Sequence, residues 1–301
     1  NNISAPYSAT RNCYKFFPEI LILHLFHLFN SFKFILFKTA QLFKLKLYKR
    51  FSIVCVIIKS MTKRVYLQGF PVDILTYNQA LERAKSAIDN GENMQVVTIN
   101  PEMVELAKKD KDFANVLKHS ELVVADGVGI KIALKLKGVN QERIGGVDYS
   151  RSLIEMCARN NLRLALLGAK EEVINAVCQK LKCEFENLNI VFSHNGYFND
   201  ENAILNEIKK ACPQVLLCAL GAPKQEFIIY RLKEMLQGCT MVGVGGSFDV
   251  FAGCVQRAPL MWQKLGLEWL YRTIKQPERF RRIFPALPIF LFESIIDSIK
   301  K

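Results

Sequence analysis

The chain has 301 residues, 50% of them hydrophobic and 23% charged, enough to bury the core of one large domain or two small ones. A mean hydropathy of +0.11 with only 16 Gly and 10 Pro excludes a mainly disordered or fibrous chain, and the lack of an uncharged apolar run of about 18 residues argues against a polytopic membrane protein. Nine Cys without a CxxC pair point away from a zinc site or disulfide framework and toward a reducing cytoplasm.

The net charge of +13 is uneven: residues 1–60 hold nine bases and one acid, Glu19. That segment has no Gly, Asp or Trp, and Phe, Lys, Ile, Asn and Tyr make up 30 of its 60 residues, the types that A/T-rich codons specify. Met61 is the first methionine, and Thr-Lys-Arg-Val-Tyr-Leu after it reads as a short basic lead into a strand. The expectation is that residues 1–60 are translated upstream sequence and that the product begins at Met61. The rival is a membrane anchor over residues 20–37, but His24, His27, Asn30 and Lys33 interrupt it, and no signal-peptide cleavage site is evident.

From Met61 the pattern is regular. Short runs rich in Val, Ile and Leu predict strands at 95–99, 122–125, 162–167, 190–193, 215–220 and 240–244. Helical periodicity predicts helices at 77–89, 101–109, 128–136, 149–159, 171–181, 201–210 and 223–236. Near-continuously apolar strands separated by helices describe a Rossmann-like α/β fold, with a parallel sheet covered by helices on both faces. Ligands of such sheets bind beyond the carboxyl ends of the strands.

Five strand ends carry polar or glycine chemistry. Thr98 and Asn100 lie two apart and share a face, although Asn100 is equally placed to cap the helix that Pro101 opens. Asp126-Gly127-Val128-Gly129 puts a carboxylate ahead of permissive glycines, a position for an acid or base as well as for a cap. Gly168-Ala169-Lys170 turns backbone N–H groups at a helix start toward an anion. Gly221-Ala222-Pro223-Lys224-Gln225-Glu226 opens a helix with polar groups, and Gly245-Gly246-Ser247-Phe248-Asp249 follows the last strand. Together they describe a cleft for a phosphate-bearing small molecule, with Gly168, Lys224, Gly245 and Gly246 as substrate-binding candidates.

Other signals carry less. Gly127-Val128-Gly129 lacks the third glycine of a dinucleotide fingerprint, since Ile132 stands there. Asp110-Lys111-Asp112 matches a metal-binding DxD literally but sits at a lysine-rich helix junction and reads as a surface turn. His119 and His194 stand apart from any ligand pattern, and Cys178 and Cys183 read as packing residues. From Leu265 the composition changes again. Lys264, Arg272, Lys275, Arg279, Arg281 and Arg282 interleave with Trp269, Tyr271, Phe280 and Phe284, and residues 287–299 are apolar with Glu293 and Asp297 at helical spacing. Basic, aromatic and amphipathic together suit an interfacial membrane segment; the alternative is a helix docked on the core. The rest of the folded part is nearly balanced in charge, so nucleic acid is not an expected partner. Three parts are expected: 1–60, an α/β core over 61–264, and a helical, membrane-associating C-terminal appendage over 265–301.

In order along the chain, Val97-Thr98-Ile99-Asn100-Pro101, Ala125-Asp126-Gly127-Val128-Gly129, Glu142-Arg143-Ile144-Gly145-Gly146-Val147-Asp148, Gly221 to Glu226, Gly243 to Asp249, Arg257-Ala258-Pro259 and Leu267 to Arg272 resemble the motifs of the WecG/TagA/CpsF glycosyltransferases of bacterial surface-polysaccharide synthesis. The resemblance implies an inverting transferase that needs no metal or other cofactor. Its partners would be a UDP-sugar donor of the N-acetylmannosamine type (or its uronic acid) and a polyprenyl-diphosphate-linked GlcNAc acceptor, in polysaccharide or teichoic acid synthesis. The implied base is Asp126, with Thr98, Asn100 and Gln225 beside it and Arg143 on the substrate. Arg272, Arg279 and Arg282 would reach the diphosphate when the tail closes over the cleft. The implied location is cytoplasmic, peripheral on the inner face of the cell membrane. Two rival classes share parts of this pattern: a nicotinamide-dependent oxidoreductase, which should show the full glycine fingerprint, and a non-catalytic membrane-surface adaptor, which has no need of the strand-end polar set.

Overall fold

The computed structural model describes residues 63–264, 266–275 and 280–299, with the backbone alone at Leu260, Lys264, Arg272, Arg281 and Arg282. Residues 1–60 and Met61, on which the upstream-extension and membrane-anchor readings fall, lie outside the described residues. Residues Thr62–Lys301 form one compact unit.

The unit opens with a hairpin, β1 (Lys63–Leu67) and β2 (Phe70–Ile74), closed by Gln68 and Gly69, both at positive φ, the backbone that a tight two-residue turn requires. There follow α1 (Tyr77–Asp89), β3 (Met94–Ile99), α2 (Pro101–Lys109), α3 (Lys111–Lys118), β4 (Leu122–Ala125), α4 (Val128–Leu136), α5 (Gly146–Asn160), β5 (Arg163–Gly168), α6 (Glu171–Glu184), β6 (Asn189–His194), α7 (Glu201–Ala211), β7 (Val215–Ala219), α8 (Lys224–Lys233), β8 (Thr240–Gly243) and α9 (Ser247–Phe251). The C-terminal part adds α10 (Leu260–Lys264), α11 (Glu268–Lys275) and α12 (Phe280–Ile299).

Strands β3–β8 make one parallel sheet in the order β4-β3-β8-β7-β5-β6. Because side chains alternate across a strand, consecutive residues enter different cores. Val96, Leu164, Leu217 and Val242 pack on one face with α1, α5 and α6. On the other face Val97, Ile99 and Val123 pack with α2, α3 and α4, while Leu167, Leu216 and Met241 pack with α7 and α8. Both faces are covered, which explains the absence of polar alternation in the strands. Strand β2 and helices α3, α9 and α10 are additional to the predicted elements, and β1 is the strand that the basic lead after Met61 enters. Asp73 of β2, buried beside Arg64, accepts a hydrogen bond from Val123 N at 2.8 Å, which covers part of the exposed edge of β4. Asp110 caps α3 by accepting from Asp112 N and Phe113 N, a structural use for the DxD-like run. Cys178 is half-buried against the core, but Cys183 is exposed, contrary to its expected packing role.

Helix α12 lies against α2 and α4. Phe290 is fully buried in the same core cluster as Ile99, Val104 and Ile130. Glu293 pairs with Lys108 of α2, and Asp297 with Lys137 at 2.6 Å, so the two acids of α12 face the core's lysines. Gly129 lets this happen: a Cβ there would come within 2.6 Å of Pro101 Cγ and 2.8 Å of Leu287 Cδ1. The GxG pair of the sequence therefore has a packing cause at its second glycine. The outward side of α12 exposes Phe284, Ile289, Phe292, Ile296 and Ile299. Among the described residues, no helix is long and apolar enough to cross a membrane.

Replacing Phe290 with Ala should destabilise the fold by about 3–5 kcal/mol, the usual cost of emptying a buried aromatic site. Denaturant unfolding monitored by Trp fluorescence measures this; an unchanged midpoint would show that α12 is not part of the core.

Candidate active site

The chemistry gathers at the carboxyl edge of the sheet. From β3 the chain steps outward to β4 and then crosses to β5 on the other side, so the strand order reverses beside β3. A crevice forms at such a reversal. At the end of β3, the Thr98 hydroxyl donates to Gly243 O at 3.4 Å. Asn100, in extended conformation, accepts from Met103 N at 3.1 Å and so caps α2, as its residue type allows.

At the end of β4, Asp126 N donates to Ile99 O, which anchors the residue to the neighbouring strand. Its carboxylate accepts from Gly127 N at 2.8 Å and Gly146 N at 3.4 Å, the latter at the start of α5, and from Arg143 Nε at 3.1 Å. About a quarter of the Asp126 side chain (23%) is exposed, and it borders the cavity.

Arg143 leads into a longer chain of charges. Both of its terminal nitrogens donate to Glu268 Oε2 at 3.1 Å. Glu268 Oε1 lies 3.8 Å from Arg257 Nε, and Arg257 in turn donates at 2.6 and 2.5 Å to the two oxygens of Asp148. Burial opposes the charge on Arg143, but Asp126 and Glu268 together outweigh it and raise its pKa above the ordinary value. The hydrogen bonds that Arg257 donates to Asp148 do the same for Arg257. Asp126, Arg143, Glu268, Arg257 and Asp148 thus alternate in sign, and the buried Glu268 has an arginine on either side of it.

The far wall comes from β7 and β8. Gln225, at the start of α8, accepts from Gly221 N at 3.1 Å and Gly245 N at 3.0 Å and donates to Glu226 Oε1 at 2.7 Å. Its amide thereby braces two glycine turns. Burial pushes the Glu226 carboxyl up to about 7, and its Oε2 is buried without a partner.

These elements enclose a cavity of about 700 Å³. Thr98, Asn100, Asp126, Arg143, Gln225, Gly245 and Gly246 all border it. Two other candidates do not. Gly168 sits at φ +123 where a Cβ would come within 2.4 Å of Ala219 O, so its role is backbone packing, and Ala169 and Lys170 line the cavity in its place. Lys224 is exposed, its ammonium 4.4 Å from the Phe198 ring centre. Arg279 lies outside the described residues, as do the side chains of Arg272 and Arg282. Sequence reasoning missed the walls supplied by the tail: Glu268, Trp269, Ile283, Ala286 and Leu287. It also missed Asp148, Arg257 and Glu268 as partners, although all three stand inside the motif-like segments. Among the described residues no group of three or more His, Cys, Asp and Glu is placed to hold a metal ion.

A model of the "Glycosyl transferase WecG/TagA/CpsF family" matches residues 65–301. The chain belongs to the WecG/TagA/CpsF family of glycosyltransferases. The chain is similar to proteins named N-acetylglucosaminyldiphosphoundecaprenol N-acetyl-beta-D-mannosaminyltransferase. That of Bacillus subtilis (strain 168) is 36% identical over 200 residues, 66% of this chain and 78% of the relative. That of Staphylococcus aureus (strain MW2) is 31% identical over 239 residues, 78% of this chain and 93% of the relative. The family match spans the whole described sheet and the tail helices that close the cavity.

The burial of Glu226 gives the transferase a pH signature. Its folded pKa of about 7 lies above the ordinary 4.5, so the folded state keeps a proton that the unfolded chain releases. Its contribution to stability is full below about 4.5 and is lost as pH rises through about 7. Relative to Glu226→Gln, the native chain should therefore lose on the order of 3 kcal/mol between pH 4.5 and pH 8. Urea unfolding of both proteins across that range measures it; parallel curves would mean that burial does not raise the Glu226 carboxyl.

Proposed function

We propose that this transferase moves an N-acetylmannosamine-type sugar from UDP to a polyprenyl-diphosphate-linked GlcNAc, with inversion, with Asp126 as the base and without a divalent ion. The carrying observation is the Asp126 carboxylate, partly exposed to the cavity and held by two backbone N–H groups and Arg143. The sugar and the acceptor follow the names of the relatives.

In the reaction, an acceptor hydroxyl oxygen attacks the anomeric carbon while its proton passes to Asp126. The bond from that carbon to the UDP oxygen breaks, and UDP leaves with the electron pair. A single displacement needs one base and no covalent sugar intermediate. The departing diphosphate gathers negative charge, which positive groups and helix N-termini stabilise. Helix α4 suits this role: its first turn borders the cavity, has no acidic residue and has no side-chain cap. Lys170 borders the same space. The tail arginines, on the same reading, complete the diphosphate site.

The exposed apolar stripe of α12, next to the cavity wall formed by Ile283, Ala286 and Leu287, supports seating on the lipid surface from which the acceptor projects. The basic residues between 264 and 282 favour an anionic leaflet, which supports a peripheral seat on the cytoplasmic side of the membrane.

Incubation with a panel of UDP-sugars and a short polyprenyl-diphosphate–GlcNAc, read by mass spectrometry, tests the reaction; transfer from no UDP-sugar would refute it. Asp126→Asn should lower transfer at least about a hundredfold while UDP still binds, since the amide takes no proton. Near-native turnover by that variant would remove Asp126 from the role. Phe292→Glu combined with Ile299→Glu should abolish sedimentation with anionic vesicles at an unchanged melting temperature, because both side chains are exposed. Undiminished sedimentation would place the lipid contact elsewhere.

A further inference from the structure

Glu268 belongs to the tail, as the first residue of α11, yet only 5% of it is exposed, and its carboxylate borders the cavity. Oε2 takes both terminal nitrogens of Arg143, so that Arg143 reaches Asp126 through Nε alone. Without Glu268 the guanidinium would be at liberty to turn its two-pronged edge onto Asp126, the geometry that arginine and carboxylate prefer. The position of Glu268 is itself set from behind. Arg257 stands 3.8 Å from its Oε1 and is gripped by Asp148 in the first turn of α5, the helix whose Gly146 N–H meets Asp126.

We infer that Glu268 is a positioning residue: by holding the terminal nitrogens of Arg143 it restricts that arginine to a single contact with Asp126 and keeps the aspartate available to take a proton, and it does so only while α11 is seated. This rests on the reading of Asp126 as the base. Seating the tail and completing the base site then become one event. The groups facing Asp126 are Arg143 from the loop before α5 and, through it, Glu268, Arg257 and Asp148. The other titratable groups bordering the cavity are Glu102, Lys170, Tyr197, Asp249 and Cys254.

The test uses the full chain with Glu268→Gln, assayed for transfer against pH. Glutamine keeps the size and one acceptor oxygen but lacks the charge that competes for Arg143. Removing an anion and drawing a cation closer both favour ionised Asp126. The acid limb of the kcat profile should therefore move about one unit to lower pH, with kcat down about tenfold because the base is weaker. KM for the donor should change less than kcat, and vesicle binding should persist. Glu268→Asp, which keeps the charge, should return the limb to its native position. A purely structural role would lower the amount of active protein without moving the limb. An unmoved limb in Glu268→Gln, or the same displacement in Glu268→Asp, overturns the inference. Asp126→Asn separates the two levels. If it is inert while Glu268→Gln leaves the limb in place, the clamp alone is wrong. If Asp126→Asn turns over at the native rate, the base reading falls and the clamp with it.

Discussion

The 3.1 Å contact between Arg143 Nε and Asp126 joins three separate parts of the chain: the end of β4, the loop that starts α5 and, through Glu268, the tail helix α11. A carboxylate beside an arginine is easily immobilised, since a bidentate pair satisfies both partners fully. Here the guanidinium is divided, one nitrogen to Asp126 and two to Glu268, and the remaining oxygen of Asp126 is met by the weaker donor at Gly146 N. The division needs two carboxylates at one guanidinium, and a second arginine, Arg257, to balance the second carboxylate. The burial of Glu268 is what calls for both arginines.

The sheet makes this possible by bringing the ends of β3, β4, β7 and β8 to one edge. Within the strands the residues are mostly apolar on both faces, with Gln95 and Thr240 as buried exceptions near strand starts, and the polar side chains of the site stand where the strands stop. Thr98 and Asp126 lie on neighbouring strands at that boundary, and the Gln225 amide spans the turns after β7 and β8. None of these side chains is independent of the backbone around it. Asn100 caps a helix, Thr98 bonds a strand carbonyl, and Gln225 braces two glycine turns. Residue types suited to recognising a sugar are here also held in place by structural hydrogen bonds, which limits the geometries they present to a substrate.

The tail is both wall and surface. Its inward side supplies Phe290 to the core and Ile283, Ala286 and Leu287 to the cavity, and its outward side exposes a line of Ile and Phe. Glu293 and Asp297, four residues apart, are spaced for one face of a helix, and the structure uses that face to meet Lys108 and Lys137. Close approach depends on Gly129, which in the sequence is one of the permissive glycines after Asp126. Gly168 teaches the same lesson: a glycine after a strand serves a ligand or a neighbouring backbone, and only the neighbour's position tells which.

Local order was therefore legible from consecutive residues. The bounds of α1, α2, α4 and β4 follow from periodicity and capping, because 3.6-residue and two-residue repeats are properties of adjacent side chains. So was the polar set at the strand ends, since Thr98, Asn100, Asp126, Gln225, Gly245 and Gly246 stand where apolar runs stop. The hairpin β1–β2 was half legible, as a lead into a strand whose partner β2 is short and holds a buried Asp73. Pairings across the chain were not legible. Arg143 and Glu268 are 125 positions apart, and nothing in either neighbourhood names the other. Lys224 and Glu226 lie in one motif, yet the first faces solvent and the second is buried near a pKa of about 7. Sequence by itself determined the elements and the edge of the sheet where chemistry gathers. Tertiary structure alone decided which charges meet there, because burial and Coulomb energy depend on distance in space.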